Sequence, residues 1–576
     1  MEKKLLSVIE NLRNHNLDNM NGLAFESFGT KITYAQFFEL VKEHAKSLTA
    51  LGVKPGDVVA MCTLTTVDAV VLFYALNMIG AVAEVVSPAY FSVNCKKYIN
   101  EAGAKVLVIL DRFYSKFKSE IANTSVKQIL LVSITEYAKP IYKLLARNKP
   151  IKKQDYIDDV MFYKYREFKK LGGNVILPDV EHKEDAPVAI CYTSGSTGVP
   201  KGVVLTNSSF NNMIEIYDKK NGFGSSRGDR NLVLLPMAHA TSLCHCINTP
   251  LACGCTNVVQ PVYNPKTFMR DIKKHRPNIA VGTVAHYISL LENDLEDGAF
   301  SFLKMPFCGG EPLPEELAIK INKELRRLGV KQEVIIGYGM SEFAAMTMFN
   351  MDIPGSTNES GLLMPGIKAK IVHPITGEIV GTNEMGVIKI NSPCAMKEYF
   401  QMPELTAQFF EYDSNGEKWG NTGDIATVDE NGVYRVLGRA NDSFVSSEGK
   451  LVYLFEIENV IAEVDNVKAC EVVAVTINGK QVPVAHIIPY QNTNENLLLE
   501  NIEKQCREKL PEYSVPYAYK IREDFPISAI SSKRDFEALK YETDGFKRFV
   551  SDGDVEEITI FSEESYKMVQ FNQMKQ

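Results

Sequence analysis

A run of glycines and hydroxyls closed by one lysine, Tyr192-Thr193-Ser194-Gly195-Ser196-Thr197-Gly198-Val199-Pro200-Lys201-Gly202-Val203, is the segment of this chain best suited to chemistry. Gly195, Gly198 and Gly202 allow close backbone approach, so that several amides can point at one anion, and Thr193, Ser194, Ser196, Thr197 and Lys201 add side-chain donors. Each bond to a charged phosphate oxygen is worth about 1.5–3 kcal/mol, so four or five would hold a triphosphate against water. The spacing rules out other phosphate and nucleophile motifs. A Walker loop needs Gly-Lys-Ser/Thr after four intervening residues, but here Pro200 precedes Lys201, and neither a dinucleotide fingerprint nor a Gly-x-Ser-x-Gly elbow fits. The run is expected directly between a strand at 188–192 and a helix at 207–217 that Thr206 or Asn207 caps.

Residues 193–201 resemble the glycine-rich signature of the adenylate-forming superfamily, which contains acyl-CoA synthetases, luciferases and peptide-synthetase adenylation domains. Further segments follow in the order that this family shows. Gly337-Tyr338-Gly339-Met340-Ser341-Glu342 is similar to its adenine and magnesium motif, with Ser341 where threonine is commoner. The resemblance implies Tyr338 stacked on adenine, Ser341 donating to the α-phosphate and Glu342 completing a magnesium shell shared with phosphates. Gly309-Gly310-Glu311-Pro312 resembles the segment lining the adenine pocket, and Pro236-Met237-Ala238-His239 the segment whose histidine borders the acyl site. Trp419-Gly420-Asn421-Thr422-Gly423-Asp424 looks like the stretch whose aspartate holds both ribose hydroxyls, with Arg439 of Gly438-Arg439 as its companion.

In this family a C-terminal domain rotates between two half-reactions. The resemblance places the hinge at Asp442, with Asn441 as the competing assignment, and Gly449 in a loop lining the pantetheine tunnel, where a side chain would obstruct the thiol. It names Lys533 as the lysine that neutralises charge when a carboxylate attacks the α-phosphorus. Ser531-Ser532 stand where glycine is usual and the upstream spacing is one residue longer, so an exposed structural lysine is the competing reading. Loss of a catalytic Lys533 should cost on the order of 10²–10³-fold in adenylation. The implied activity is that of an AMP-forming acid–thiol ligase using ATP, magnesium and coenzyme A. An acyl-adenylate ligase serving a carrier protein or an amine is the alternative, and a non-catalytic nucleotide or acyl sensor is a third reading. Ala240-Thr241-Ser242-Leu243 offers no carboxylate to pair with an ammonium, which favours a fatty or aromatic acid over an amino acid.

The elements that must position these residues alternate along the chain. Apolar runs of strand length at 58–64, 81–86 and 105–110, with a helix at 66–78 stopped by Gly80, predict an α/β fold with parallel sheets. Short strands at 368–372 and 386–391 and the turn Asp429-Glu430-Asn431-Gly432 predict a small β subdomain. A helix at 455–463, a strand at 470–477 with the turn Asn478-Gly479, and a helix at 496–510 predict a separate α+β domain of roughly a hundred residues. The expected division is an N-terminal adenylation domain over 1–440, with two αβαβα-type sheets, a mobile domain over 441–545, and a tail over 546–576 without a readable role. The family resemblance covers residues 32–539.

At 576 residues the chain exceeds one ordinary core. A formal charge of -8 argues against a general nucleic-acid binder. The segment 143–170, with nine lysines and arginines among aromatic residues, reads as a solvated basic helix, and weak contact with an anionic membrane surface or acidic partner is the competing reading. Residues 1–14 lack the apolar core of a secretory signal, and the most apolar stretch, 69–83, is too short to span a bilayer. Eleven cysteines, an odd number, suggest a reducing cytoplasm. The pairs Cys244/Cys246 and Cys253/Cys255 match no common zinc spacing and are expected as buried thiols.

Overall fold

The computed structural model describes residues 5–145, 151–193, 200–261, 264–310, 312–353, 355–357, 359–446, 448–526, 535–550, 555–560 and 562. It divides into two compact units: Met1–Lys370 with Lys389–Asn421 and Asp429–Arg435, and Ile371–Ile388 with Thr422–Val428 and Val436–Gln576.

The first unit is built on two large sheets. One has eight strands, in the spatial order Glu398–Tyr399, Lys201–Thr206, Pro187–Thr193, Val82–Val85, Val58–Cys62, Val106–Leu110, Gln128–Val132 and Met161–Lys164. The other has nine, with Ile335–Tyr338, Met305–Gly309, Ile279–Gly282, Arg230–Val233 and Thr256–Val259 running parallel through its middle. The strand sequences are almost continuously apolar because helices cover parallel strands on both faces. Val82–Val85 is buried at every position, and so is Ile279–Gly282.

Local chemistry sets the element ends. Thr66 caps the helix Val67–Met78, accepting from the Ala69 amide, and Gly80 at φ +70° turns the chain into the next strand. That helix is buried nearly all round, so it packs in the interior of the unit rather than on its surface. The nine-stranded sheet is backed by Phe268, Tyr287, Leu290, Ala318, Ile321 and Leu325 from its covering helices. Polar ties join the two sheets: Tyr74 donates to Asn248 Oδ1 at 3.0 Å and Thr65 donates to the Leu235 carbonyl at 3.1 Å.

Among the described residues the basic stretch 143–170 does not form the single helix expected from sequence. It passes through a 3-10 turn, the edge strand Met161–Lys164 and the short helix Tyr165–Phe168. Its aromatics explain the difference, because they pack inward. Tyr156 stacks on Phe162 at 4.0 Å, and Tyr165 and Phe168 are buried.

The small β subdomain is a five-stranded sheet, Lys368–Val372, Gly386–Asn391, Lys418–Val428 and Phe410–Tyr412 in that order, with Tyr434–Arg439 beside Lys418–Val428. The second unit contains another five-stranded sheet, formed by Val467–Ile477, Lys480–Pro489, Ala518–Ile521, Phe546–Phe549 and Val555–Ile558. Its first hairpin closes through Asn478 and Gly479 at φ +51° and +75°, the left-handed pair that a two-residue turn requires. Ile457, Ile461, Leu499, Ile502 and Tyr519 fill the core between this sheet and its helices. Two of the five strands come from residues beyond 545, a stretch whose role could not be read from the sequence.

Candidate functional site

The glycine-rich run leaves the eight-stranded sheet at a hairpin. Pro187–Thr193 and Lys201–Thr206 are antiparallel, and Thr193 pairs with Lys201 as the last rung before the loop. Ser194, Gly195, Ser196, Thr197 and Gly198 lie outside the described residues, as do Glu311 and Lys533. The expectation that a helix follows the loop directly is therefore corrected: a strand intervenes, and the helix Asn207–Lys219 starts after it, capped by Thr206. Gly202 carries no side chain because a Cβ there would come within 3.0–3.1 Å of Ile190, Phe400 and Tyr192.

Lys201 faces Tyr399 at this hairpin, and Tyr399 in turn holds Glu342. Its ammonium lies 5.3 Å from the centroid of the Tyr399 ring, and the Tyr399 hydroxyl donates to Glu342 Oε1 at 2.7 Å. The Glu398–Tyr399 strand reaches this position by pairing with Lys201–Thr206, and the Met396 amide donates to the Glu342 carbonyl at 2.7 Å. Glu342 is 6% exposed. A bond from a hydroxyl to a buried carboxylate contributes about 1.5–3 kcal/mol and fixes the plane of the carboxyl group. No motif in the sequence pointed to Tyr399, which becomes visible only through strand pairing.

The remaining first-unit candidates sit at the carboxyl ends of parallel strands, where open α/β sheets bind ligands. Gly309 and Gly337 are register partners, so Gly309-Gly310 and Gly337-Tyr338-Gly339 emerge side by side. Gly339 is fixed by packing, since a Cβ there would lie 1.7 Å from the Ala345 carbonyl oxygen. Ser341 and Glu342 follow in a short 3-10 turn. His239 lies beyond the end of Arg230–Val233 and leads into the π-helix Thr241–Asn248, an irregularity frequent at functional sites. Leu243, Cys244, Cys246 and Ile247 of that helix are buried, and burial pushes the Cys246 thiol up to about 12. His245, hydrogen-bonded to Tyr217, is lowered by burial to about 4 and is therefore neutral.

In the second unit, Asp424 is buried and pairs with Arg439, Nε to Oδ1 at 3.0 Å, while Arg439 Nη1 donates to the Thr422 carbonyl at 3.2 Å. Asp442 sits in the turn after Tyr434–Arg439, its amide donating to the Arg439 carbonyl and its carbonyl accepting from Leu454. Gly449 has φ +74° in the hairpin between Ser443–Val445 and Leu451–Tyr453. An added Cβ there meets nothing within 4 Å, so among the described residues it is backbone conformation that calls for glycine at this position. The two ends of the segment carrying Lys533 are tied, because the Asp535 amide donates to the Pro526 carbonyl at 2.8 Å and Asp535 caps the helix Phe536–Lys540.

Two family models match the chain: AMP-binding enzyme over residues 13–400 and AMP-binding enzyme C-terminal domain over residues 456–531. The chain belongs to the AMP-binding enzyme family. It is 26% identical over 537 residues to a long-chain-fatty-acid–CoA ligase of Bacillus subtilis, covering 90% of this chain and 92% of that protein. It is also 26% identical over 533 residues to a mitochondrial medium-chain acyl-CoA ligase of Danio rerio, covering 88% and 83%. Among solved structures, ATP-bound MatB from Rhodopseudomonas palustris superposes with a TM-score of 0.77 at 21% identity, over 93% of this chain and 98% of that one. The amide bond synthetase McbA from Marinactinospora thermotolerans gives 0.73 at 21%, over 92% and 99%. These structures share the fold.

One of the residues present fits the metal that the AMP-binding enzyme family uses. Among the described residues no group of three or more His, Cys, Asp or Glu side chains could hold a metal unaided. A single oriented carboxylate, Glu342, suits magnesium, which keeps waters and shares substrate phosphates rather than entering an all-protein cage.

Proposed function

We propose that this protein is an ATP-dependent acid–thiol ligase that activates an apolar carboxylic acid, fatty or aromatic, as its adenylate and transfers the acyl group to coenzyme A. The observation that carries the reading is the convergence of Lys201, Tyr399 and Glu342 at the hairpin of the glycine-rich run, beside the paired strand ends at Gly309 and Gly337. The fatty-acid ligases among its relatives and the buried π-helix after His239, which carries no carboxylate, support the choice of acid.

In this reading the loop amides and hydroxyls of residues 193–198, with Lys201, bind the polyphosphate of ATP. Magnesium, held by Glu342, would supply charge neutralisation on the departing pyrophosphate. Tyr338 and the glycine ends at 309, 310, 337 and 339 bound the adenine, with Glu311 beside them, and Asp424 with Arg439 receives the ribose. Ser341 donates to the α-phosphate, and His239 borders the acid. The carboxylate attacks the α-phosphorus, and Lys533 from the domain 441–545 offsets the charge on the attacking and departing oxygens. Rotation about Asp442 then brings the Gly449 loop to the site, where the thiol of coenzyme A attacks the acyl carbonyl and AMP leaves. Positioning and electrostatics supply the acceleration, and no covalent enzyme intermediate is required. Eleven cysteines, an odd number, support a cytoplasmic location, and no helix among the described residues is long and apolar enough to cross a membrane.

Incubation of the protein with ATP, magnesium and a panel of fatty, aromatic and amino acids, each with coenzyme A, an amine or a carrier-protein phosphopantetheine, tests this function. Acid-dependent AMP release with acyl-CoA as the product is expected. Products formed only with the amine or carrier would replace the thioester half of the proposal.

A further inference from the structure

The strand Val82–Val85 carries an acid where its neighbours Val82, Ala83 and Val85 are apolar. Glu84 is wholly buried between Ala60 of Val58–Cys62 and Ile190 of Pro187–Thr193. Its Oε1 accepts from the Tyr192 hydroxyl at 2.7 Å, and its Oε2 has no hydrogen-bond partner among the described residues. An interior strand position of this kind is cheaper to fill with valine or leucine, so the acid needs a reason to be there. Among the described residues its one side-chain bond goes to Tyr192, the first residue of the glycine-rich run.

Tyr192 is held on three sides. Its ring meets Tyr98 of the helix Pro88–Glu101 edge to face at 4.6 Å, its hydroxyl ends on Glu84, and its backbone pairs with Gly202, the rung beneath Thr193–Lys201. The ring also occupies the space that a side chain at 202 would take, with Tyr192 Cε1 3.1 Å from the position of a Cβ. The place of the phenol therefore sets how closely Lys201–Thr206 runs over Pro187–Thr193, and with it the separation of the two loop stems.

Resting on the reading that residues 193–201 grip the polyphosphate, we propose that Glu84 is a positioning residue for ATP, acting through Tyr192 on the stems of the nucleotide loop. The groups facing it give the proposal a pH signature. Burial pushes the Glu84 carboxyl up to about 8, with the Tyr192 bond opposing the shift and Glu101 of Pro88–Glu101 reinforcing it. Tyr98 and Tyr192 also face it, both raised by burial, and among the described residues no cation is placed to receive the anion that forms above pH 8. Ionisation places a charge against Tyr192 at the loop stem, and affinity for ATP falls on the alkaline side.

The test is titration of magnesium-ATP binding at pH 7 and pH 9 for wild type, Glu84→Leu, Glu84→Gln and Tyr192→Phe, with KM values for acid and coenzyme A alongside. Glu84→Leu and Tyr192→Phe are expected to weaken ATP binding about tenfold or more while the other two KM values stay put. Glu84→Gln, which keeps a neutral acceptor, is expected to restore ATP affinity at pH 7 and to hold it at pH 9, where wild type loses it. Should Glu84→Leu fail to fold, Tyr192→Phe carries the same expectation. Unchanged ATP affinity in Tyr192→Phe, or an equal loss for all three substrates, overturns the inference alone. Failure of wild type to bind magnesium-ATP overturns the loop assignment and the inference with it.

Discussion

Replacing Tyr399 with phenylalanine separates the hydroxyl that orients Glu342 from the ring that faces Lys201. The hydroxyl lies 2.7 Å from a carboxylate that is 6% exposed. A hydrogen bond to a buried charge is worth about 1.5–3 kcal/mol, a factor of roughly 10–150 in an equilibrium constant. Part of that loss will appear in global stability. The rest falls on magnesium, because a carboxylate that has lost its orienting partner typically binds metal about 10–100-fold less well. The cation–π contact to Lys201 survives, since phenylalanine presents the same ring face at about 0.5–1 kcal/mol. Acid-dependent pyrophosphate exchange measured against magnesium concentration, with urea denaturation in parallel, should show a magnesium requirement raised about 10–100-fold and a stability loss within the stated range. A lower urea midpoint with an unchanged magnesium requirement would refute the idea that Glu342 serves the metal.

Asp424→Asn should raise the KM for ATP about tenfold or more and abolish discrimination between ATP and 2′-deoxy-ATP, because one of two acceptor oxygens becomes a donor; initial rates with both nucleotides check this. Gly339→Ala should destabilise by about 3 kcal/mol and suppress exchange, since the methyl group would meet the Ala345 carbonyl oxygen at 1.7 Å; urea denaturation reads the first effect. Asp68, fully buried in the helix Val67–Met78, is raised by burial from 3.8 to about 7. Because the folded state holds this proton more tightly, its contribution to stability is complete below pH 3.8 and is lost as pH rises through about 7. The urea midpoint of wild type should thus fall between pH 5 and pH 8 relative to that of Asp68→Asn, and parallel curves would contradict the assignment.

Much of this architecture is legible in the sequence. The strands Lys368–Val372 and Gly386–Asn391 stand where the turn signals put them, and the helix expected over 66–78 runs from Val67 to Met78. The order of the motifs led to the family that its models then matched. What escaped depends on pairings between distant segments. Lys201–Thr206 is a strand because Pro187–Thr193 on one side and Glu398–Tyr399 on the other supply its hydrogen bonds, and no local signal announces a partner as distant in sequence as Glu398–Tyr399. Tyr399 was invisible for the same reason, and the aromatic residues of the basic stretch were misread because charge spacing alone does not reveal which rings turn inward. Glu84 reads as an ordinary charged residue until its burial and its single bond to Tyr192 are seen.

The central claim is that a carboxylate attacks the α-phosphorus of ATP. The most direct measurement is the fate of oxygen in turnover of an accepted acid labelled with ¹⁸O in its carboxyl group, with AMP, pyrophosphate and orthophosphate analysed by mass spectrometry. The account predicts label in AMP and none in pyrophosphate. Label in orthophosphate, with ADP as the nucleotide product, would mean attack at the γ-phosphorus and would contradict it.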